Sequence, residues 1–435
     1  MAEKIKYEQA LAQVGQMGRY QVYLFILAVV SSSNAGIHLF NVVFTVGMPQ
    51  YRCAVPGLQN DTFDIQDDTH AKLTEASIPF DSGKGSYSRC TRYKSSLDLD
   101  HNSTRQMQNA TSFETESCTR WVYSTRVFAS SIVSELNLVC DRQIYITHAN
   151  MIGMAGIMVT TMITGALSDR LIPESPKWLL SRKRDLEAKS VLQTVAKFNG
   201  KSLQGEIYLF ESTKGFNHKS KGVLRGVILL FKSPILAIRL LILTVAWFVN
   251  AMVYYGVSLN LGVVIPGDIY LNFFVITMSV IIVLPLASTY LIYRGRKLAI
   301  VPCMVLGGCC CIATVFPIFS NGADVSWVTT GLSYLGKLLL TNSFNTIWLY
   351  STELLPTEAR LSGLGFCNFF GRIGSVISPY IATLPTVVEG KIGKALPLLV
   401  FGVCGLVSGM LCLLLPETGN GKLPDTVREA EQLET

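Results

Sequence analysis

Eight long apolar stretches constrain the fold of this chain more than any other feature of its sequence. A helix of about 20 apolar residues spans roughly 30 Å of hydrocarbon. The chain has 435 residues, of which 49% are hydrophobic and 15% are charged, as is typical of proteins that cross a bilayer several times. We therefore expect an all-α membrane protein. The eight predicted transmembrane helices lie near 21–43, 146–167, 238–260, 269–291, 299–319, 326–350, 363–384 and 395–415.

The polar segments between these stretches predict the topology. The long segment 44–145 carries three Asn-X-Ser/Thr glycosylation sequons, at Asn60, Asn102 and Asn109, which indicates an extracellular loop. Residues 1–20 and 416–435 are then cytosolic, and 168–237 is a cytosolic central loop that contains helices. The basic connector 294–297 lies on the cytosolic side in this arrangement, as the positive-inside rule expects.

Four of the eleven cysteines, Cys53, Cys90, Cys118 and Cys140, share the large extracellular loop. An extracellular loop is an oxidising environment, so we expect two disulfides there, with three pairings open. The other seven cysteines lie in apolar segments, where a thiol packs as a small apolar group.

Arg372 stands in the middle of an otherwise apolar stretch, from Leu361 to Ala382. A charge at the centre of a membrane helix costs at least about 2.5 kcal/mol, so its presence indicates a function. The guanidinium group stays protonated and binds carboxylates through two parallel hydrogen bonds. Arg372 is therefore our first candidate for binding an anionic group of a substrate inside the membrane.

Polar or aromatic side chains also recur on single faces of three other predicted helices. Polar groups in hydrocarbon need partners or water, so these faces are expected to line a cavity together with Arg372. The alternative is that the polar groups join helices to one another and that the aromatic rings only pack. The additional candidates for substrate binding are Asn34, His38, Trp247, Tyr254, Tyr255, Lys337 and Asn345.

Enzyme signatures are absent from the sequence. It contains no HExxH, no P-loop, no GxSxG and no dinucleotide-binding glycine run after a strand. His38 has no second ligand at metal-binding spacing, and no basic patch with interleaved aromatic residues suggests nucleic acid. We therefore expect no enzyme activity, no cofactor, no metal site and no nucleic-acid partner.

Short motifs from nearly the whole chain carry a family resemblance. They resemble segments of the organic ion transporter family (solute carrier family 22, with organic cation, organic anion and carnitine transporters) of the major facilitator superfamily. The motifs are Val14-Gly-Gln-Met-Gly-Arg-Tyr20, Glu135-Leu-Asn-Leu-Val-Cys140, Pro173-Glu-Ser-Pro-Lys-Trp-Leu-Leu180, Tyr254-Tyr-Gly-Val-Ser-Leu-Asn260, Tyr270-Leu-Asn-Phe-Phe274, Ser351-Thr-Glu-Leu-Leu-Pro-Thr-Glu-Ala-Arg360 and Leu415-Pro-Glu-Thr418 with Leu423-Pro-Asp425.

This resemblance implies a membrane transporter that binds small organic ions between two six-helix halves and works by alternating access. Cation transporters of the family tend to have Asp at the position of Arg372, whereas anion and carnitine transporters tend to have Arg. The resemblance therefore implies organic anions or carnitine-like zwitterions as substrates, and the plasma membrane as the location.

The chain departs from the family pattern near Arg170. The motif Ser168-Asp-Arg170 begins a cytosolic signature of the family, but the chain then continues directly into Leu171-Ile-Pro-Glu-Ser-Pro176. The resemblance implies four further helices at this point, so we expect a complete six-helix C-terminal half, 238–415, and an N-terminal half that keeps two helices. The alternative function is a transport-inactive truncated isoform, which is retained inside the cell or associates with the full-length transporter. Association with a second copy of the same chain is also open.

Overall fold

The computed structural model of the protein describes most of the chain. The described residues are 4–15, 18–81, 86–94, 114–171, 176–181, 184–202, 206–208, 223–264, 268–319, 326–357, 359–388, 390–419, 424 and 427–432.

Helices dominate the described residues. In chain order they are α1 (Tyr7–Val14), α2 (Arg19–Thr45), α3 (Asp68–Ser77), α4 (Ile132–Leu136), α5 (Ile144–Leu171), α6 (Pro176–Ser181), α7 (Asp185–Phe198), α8 (Val223–Lys232), α9 (Pro234–Val264), α10 (Ile269–Arg294), α11 (Arg296–Ala313), α12 (Val315–Phe319), α13 (Ser326–Leu354), α14 (Arg360–Ala382), α15 (Leu384–Val387), α16 (Lys391–Cys412) and α17 (Val427–Glu431).

The strands are short and form two-stranded pairs. They are β1 (Lys4–Lys6), β2 (Tyr51–Cys53), β3 (Phe80–Asp81), β4 (Ser86–Tyr87), β5 (Thr91–Tyr93), β6 (Thr115–Ser117), β7 (Trp121–Tyr123) and β8 (Glu206–Tyr208). Strands β1 and β8 pair in parallel, whereas β2 with β7, β3 with β4 and β5 with β6 are antiparallel.

A helix occupies each position where the sequence predicts a transmembrane span: α2, α5, α9, α10, α11 with α12, α13, α14 and α16. By length and composition, three described stretches are long and apolar enough to cross a membrane: Pro234–Leu259, Arg296–Phe319 and Lys391–Cys412. The all-α membrane class of the prediction is thus supported. The number of crossings and the shortened N-terminal half stay predictions.

The chain forms two compact units, one of which combines Met1–Asn41 with Ala155–Ile228. In this unit α1 and α7 pack through a small apolar core that includes Ala10, Val14 and Leu192. The side chain of Asn199 ties the segments together: it accepts from the backbone N–H of Tyr20 at 2.8 Å and donates to the backbone oxygen of Val14 at 2.9 Å.

The second unit combines Val42–Met154 with Leu229–Thr435. Its first part is the predicted extracellular loop, in which the expected pair of disulfides is confirmed. The pairing is Cys53 with Cys118 and Cys90 with Cys140. The backbone N–H of Cys118 also donates to the oxygen of Cys90 at 3.0 Å, so the two bridges lie beside each other. Of the three sequons, Asn60 is exposed, whereas Asn102 and Asn109 lie outside the described residues.

The larger part of the second unit is a bundle of the helices from α9 to α16. One apolar core joins α9, α11, α13, α14 and α16, and its largest fully buried side chains include Trp247, Tyr350, Phe401 and Leu340. Helix α9 is central, because it packs against α13, α14 and α16. The short C-terminal helix α17 also contacts α9, where the guanidinium of Arg239 donates to the backbone oxygen of Ala430 at 2.6 Å.

Candidate functional site

A pocket between α9, α13 and α14 is the candidate site. Helix α9 contributes Trp247, Ala251 and Tyr255, which are four residues apart and therefore lie on one helix face. The cavity between these side chains is about 10 Å³, the space of roughly one water molecule. The complete lining is Trp247, Ala251, Tyr255, Phe344, Asn368, Gly371 and Arg372.

Arg372 provides the positive charge of this pocket. Its side chain is partly buried, and its Nε atom is fully buried without a hydrogen-bond partner in the described part of the chain. Among the described residues, no carboxylate lies within salt-bridge distance of it. A buried donor without a partner is costly, and a ligand oxygen would remove that cost.

Two glycines let α14 come close to α9 at the pocket. A Cβ atom on Gly371 would lie 3.3 Å from the ring of Trp247 and 3.4 Å from its backbone oxygen. A Cβ atom on Gly374 would collide with the backbone oxygen of Phe248. The absence of side chains at these two positions thus sets the separation of the helices that carry Trp247 and Arg372.

Trp247 forms the inner wall of the pocket and is held rigidly. Its indole Nε1 donates to the hydroxyl of Ser351 at 2.8 Å, and its ring meets Trp348 edge to face at 4.4 Å between centroids. Trp247 is only 1% exposed, so its ring packs within the bundle and also lines the pocket.

Lys337 and Tyr254 lie next to the pocket lining rather than in it. The Lys337 ammonium donates to the backbone oxygen of Tyr254 at 3.1 Å and to the hydroxyl of Ser258, and it lies 3.6 Å from the centroid of the Tyr254 ring. The Tyr254 ring in turn stacks on Phe344, with centroids 4.9 Å apart. Lys337 therefore touches the pocket only indirectly, because it packs on the Tyr254 ring, which stacks on the lining residue Phe344.

The structure does not bring every predicted candidate to this pocket. Asn345 is exposed on α13, although it lies next to Phe344 in sequence. Asn34 and His38 belong to α2, but their side chains lie outside the part of the chain that the structure describes.

Sequence reasoning did not name four lining residues as candidates: Ala251, Phe344, Asn368 and Gly371. Alanine, phenylalanine and glycine are ordinary in an apolar helix, so their type carries no signal of a site. Asn368 lies one turn before Arg372 on the same helix face, and this spacing is the signal that could have identified it as a candidate.

The arrangement combines a partly buried cation, aromatic walls and an amide within a bundle of apolar helices. It offers a bidentate donor for an anionic group and apolar area for the rest of a small molecule. Among the described residues no cluster of His, Cys, Asp or Glu is suited to a metal ion. The fold and the pocket thus define a helical membrane protein with a candidate internal binding site.

Comparison with known proteins identifies the family. Residues 127–426 match the family described as "Sugar (and other) transporter". The chain therefore belongs to this family of transporters, which are membrane proteins and not enzymes.

Individual relatives confirm the resemblance to the solute carrier family 22 proteins. The chain is 24% identical to "Organic cation transporter protein" of Drosophila melanogaster over 547 positions, covering 98% of this chain and 94% of the relative. It is 26% identical to the human "Solute carrier family 22 member 13", covering 98% and 93%. It is 33% identical to "Solute carrier family 22 member 15-like" of Xenopus laevis, covering 60% and 51%.

Proposed function

We propose that this chain carries small organic ions across the plasma membrane by alternating access, and that organic anions or carnitine-like zwitterions are its substrates. The observation that carries the proposal is the Nε atom of Arg372, which is buried in the pocket and has no hydrogen-bond partner among the residues that the structure describes. Relatives named as organic cation transporter and solute carrier proteins support the transport of organic ions in general.

In this proposal each side chain has a separate task. Arg372 binds the carboxylate, Asn368 offers an additional hydrogen bond, and the rings of Trp247, Tyr255 and Phe344 contact the apolar part of the substrate. Lys337 adds positive potential from its position against the Tyr254 ring. Asn34 and His38 stay candidates from the sequence alone.

Surface-normalised uptake in cells tests the proposal. The panel contains a labelled organic anion, a carnitine-like zwitterion and an organic cation. Truncating one partner of a buried charge pair costs about 2–5 kcal/mol, so Arg372→Asp should lower the clearance of the anion roughly 30-fold or more. Lys394→Asp reverses an exposed charge on α16, outside the pocket lining, and is the matched control. Unchanged anion uptake by Arg372→Asp would disprove the role of Arg372.

A second candidate is a transport-inactive isoform that associates with the full-length transporter. The alignment to the Drosophila melanogaster relative extends over 547 positions, which is more than the 435 residues of this chain. The relative therefore has residues that this chain lacks, as expected if four helices are missing after Arg170. Absence of uptake with normal surface abundance, together with altered uptake by a co-expressed full-length form, would favour this candidate over transport by the chain itself.

A further inference from the structure

The two disulfides of the extracellular loop differ in their surroundings. The inner disulfide joins Cys53, which is fully buried, to Cys118, which is 6% exposed, and it lies in a small apolar core of the loop. The outer disulfide joins Cys90 to Cys140, and both of these residues are only partly buried. An external thiolate can attack a disulfide that meets solvent, whereas a disulfide inside an apolar core is protected from it.

A positive charge lies beside the outer disulfide. The guanidinium carbon of Arg89 lies 5.8 Å from the centroid of the Tyr51 ring. Tyr51 in turn forms a hydrogen bond with the backbone of Cys140. The backbone oxygen of Arg89 lies 3.4 Å from the Sγ atom of Cys140. A cation at this distance attracts an incoming thiolate and stabilises the thiolate that leaves.

The outer disulfide also fixes the backbone that leads into α5. The φ angle of Cys140 is 54°, in the left-handed region that a residue other than glycine adopts only where the surrounding structure requires it. The backbone oxygen of Cys140 accepts from the N–H of Gln143 at 3.1 Å, and α5 begins at the next residue, Ile144. Opening the outer disulfide therefore removes a constraint at the start of α5.

The rest of the loop has a covalent link of its own. Cys90 directly precedes β5, and Cys118 directly follows β6, the strand that pairs with β5. The inner disulfide therefore still joins this pair of strands to β2 when the outer disulfide is open. Opening the outer disulfide thus leaves the core of the loop in place.

We propose that the outer disulfide is a redox switch that an extracellular dithiol opens, while the inner disulfide is structural. One thiolate of the dithiol attacks the Sγ atom of Cys90, the bond between the two protein sulfur atoms breaks, and Cys140 leaves as a thiolate that takes up a proton. The second thiolate of the dithiol then attacks the sulfur of the first and releases Cys90, which also takes up a proton. The protein gains two electrons and two protons, and the dithiol becomes a cyclic disulfide.

This proposal depends on the extracellular position of the loop and is independent of the substrate and of transport activity. Stepwise alkylation of the full chain in phosphatidylcholine nanodiscs tests the order of opening, with dithiothreitol as the dithiol. Samples are quenched at intervals with N-ethylmaleimide, fully reduced and alkylated with deuterated N-ethylmaleimide, and mass spectrometry gives the reduced fraction of each cysteine. We expect the outer disulfide to be reduced at least about ten times faster than the inner one. Equal rates, or earlier reduction of the inner disulfide, would overturn the proposal.

The contribution of the positive charge is measured in the same assay. Arg89→Gln should slow the reduction of the outer disulfide about threefold, since the charge acts at an exposed site, and Arg89→Lys should preserve the rate. Arg126→Gln removes another exposed arginine of the loop and is the matched control. Equal rates for Arg89→Gln and Arg126→Gln would contradict the role of Arg89.

Hydrogen exchange measures the effect of opening on α5. The N–H of Ile146 donates to the oxygen of Gln143 at 3.1 Å, and its protection should fall about tenfold after reduction of the outer disulfide. The N–H of Ser124, in the core of the loop, should keep its protection. Cys90→Ser combined with Cys140→Ser should show the same loss without reductant and no further change with dithiothreitol. Unchanged protection of Ile146 in the reduced chain would show that the outer disulfide is not a switch.

Discussion

Asp61 in the extracellular loop should be far more important for stability than its position within a glycosylation sequon suggests. Its side chain is 3% exposed, and its partner Arg52 is 4% exposed. The carboxylate accepts from the two Nη atoms of Arg52 at 2.6 and 3.2 Å and from the backbone N–H of Val55 at 2.7 Å. The Nε2 atom of His70 lies 3.0 Å from the same carboxylate. Replacing Asp61 with Asn keeps the shape but leaves the guanidinium buried without a counter-charge.

Breaking a buried ion pair by removing one partner costs about 3–5 kcal/mol. At about 1.4 kcal/mol per factor of ten, the open population of the loop should rise between roughly a hundredfold and a few thousandfold. Asp64, three residues on, offers a matched control, since it pairs with Arg126 at 3.0 Å while the two side chains are 60% and 74% exposed. Exposed pairs contribute about 0–1 kcal/mol, so Asp64→Asn should change the open population less than about fivefold.

Hydrogen exchange on the purified chain measures this difference. The relevant amides are those that join β2 to β7, including the N–H of Ser124, which donates to Gln50 at 2.8 Å, and that of Ala54, which donates to Arg120 at 3.0 Å. Their protection should fall strongly in Asp61→Asn and hardly at all in Asp64→Asn. Similar protection in the two variants would refute the argument that a buried ion pair stabilises the loop much more than an exposed one.

Two further predictions concern a helix contact and a helix cap. Gly374→Ala should reduce surface abundance and thermal stability, because its Cβ would collide with a backbone oxygen of α9. Gly365 has open space around it, so Gly365→Ala is the matched control and should be neutral in the same thermal-shift assay. Asp67 caps α3, and its hydrogen bonds from the backbone N–H of His70 and the hydroxyl of Thr69 hold its pKa below the ordinary value of 3.8. A lowered pKa stabilises the folded loop at neutral pH, and this contribution is lost as the pH falls through the folded-state pKa. Asp67→Asn should therefore preserve the cap at neutral pH and remove the loss of α3 stability that protonation of Asp67 causes. Hydrogen exchange of the α3 amides across the acid range, corrected for intrinsic rates, measures this effect. An unchanged acid response in Asp67→Asn would contradict the role of Asp67.

The sequence by itself determined the positions of the long helices. Runs of apolar residues are a local property, and burial in lipid or in a bundle requires the backbone to satisfy its own hydrogen bonds, so each run becomes a helix. Polar residues within such runs are equally conspicuous, which is why Arg372 and Lys337 were recognised without coordinates. The presence of two disulfides was also predictable, because four cysteines share one extracellular loop.

The partners of these residues were decided only by the tertiary structure. The antiparallel pairing of β2 with β7 sets Cys53 opposite Trp121, three residues after its disulfide partner Cys118, and nothing in the spacing of the cysteines selects that register. Periodicity also could not show that Lys337 contacts Tyr254 or that Arg372 and Phe344 line one pocket, since each pair joins two different helices. A helix face can be derived from local spacing, but what that face meets depends on how closely the other helices pack, and here two glycines of α14 set that distance.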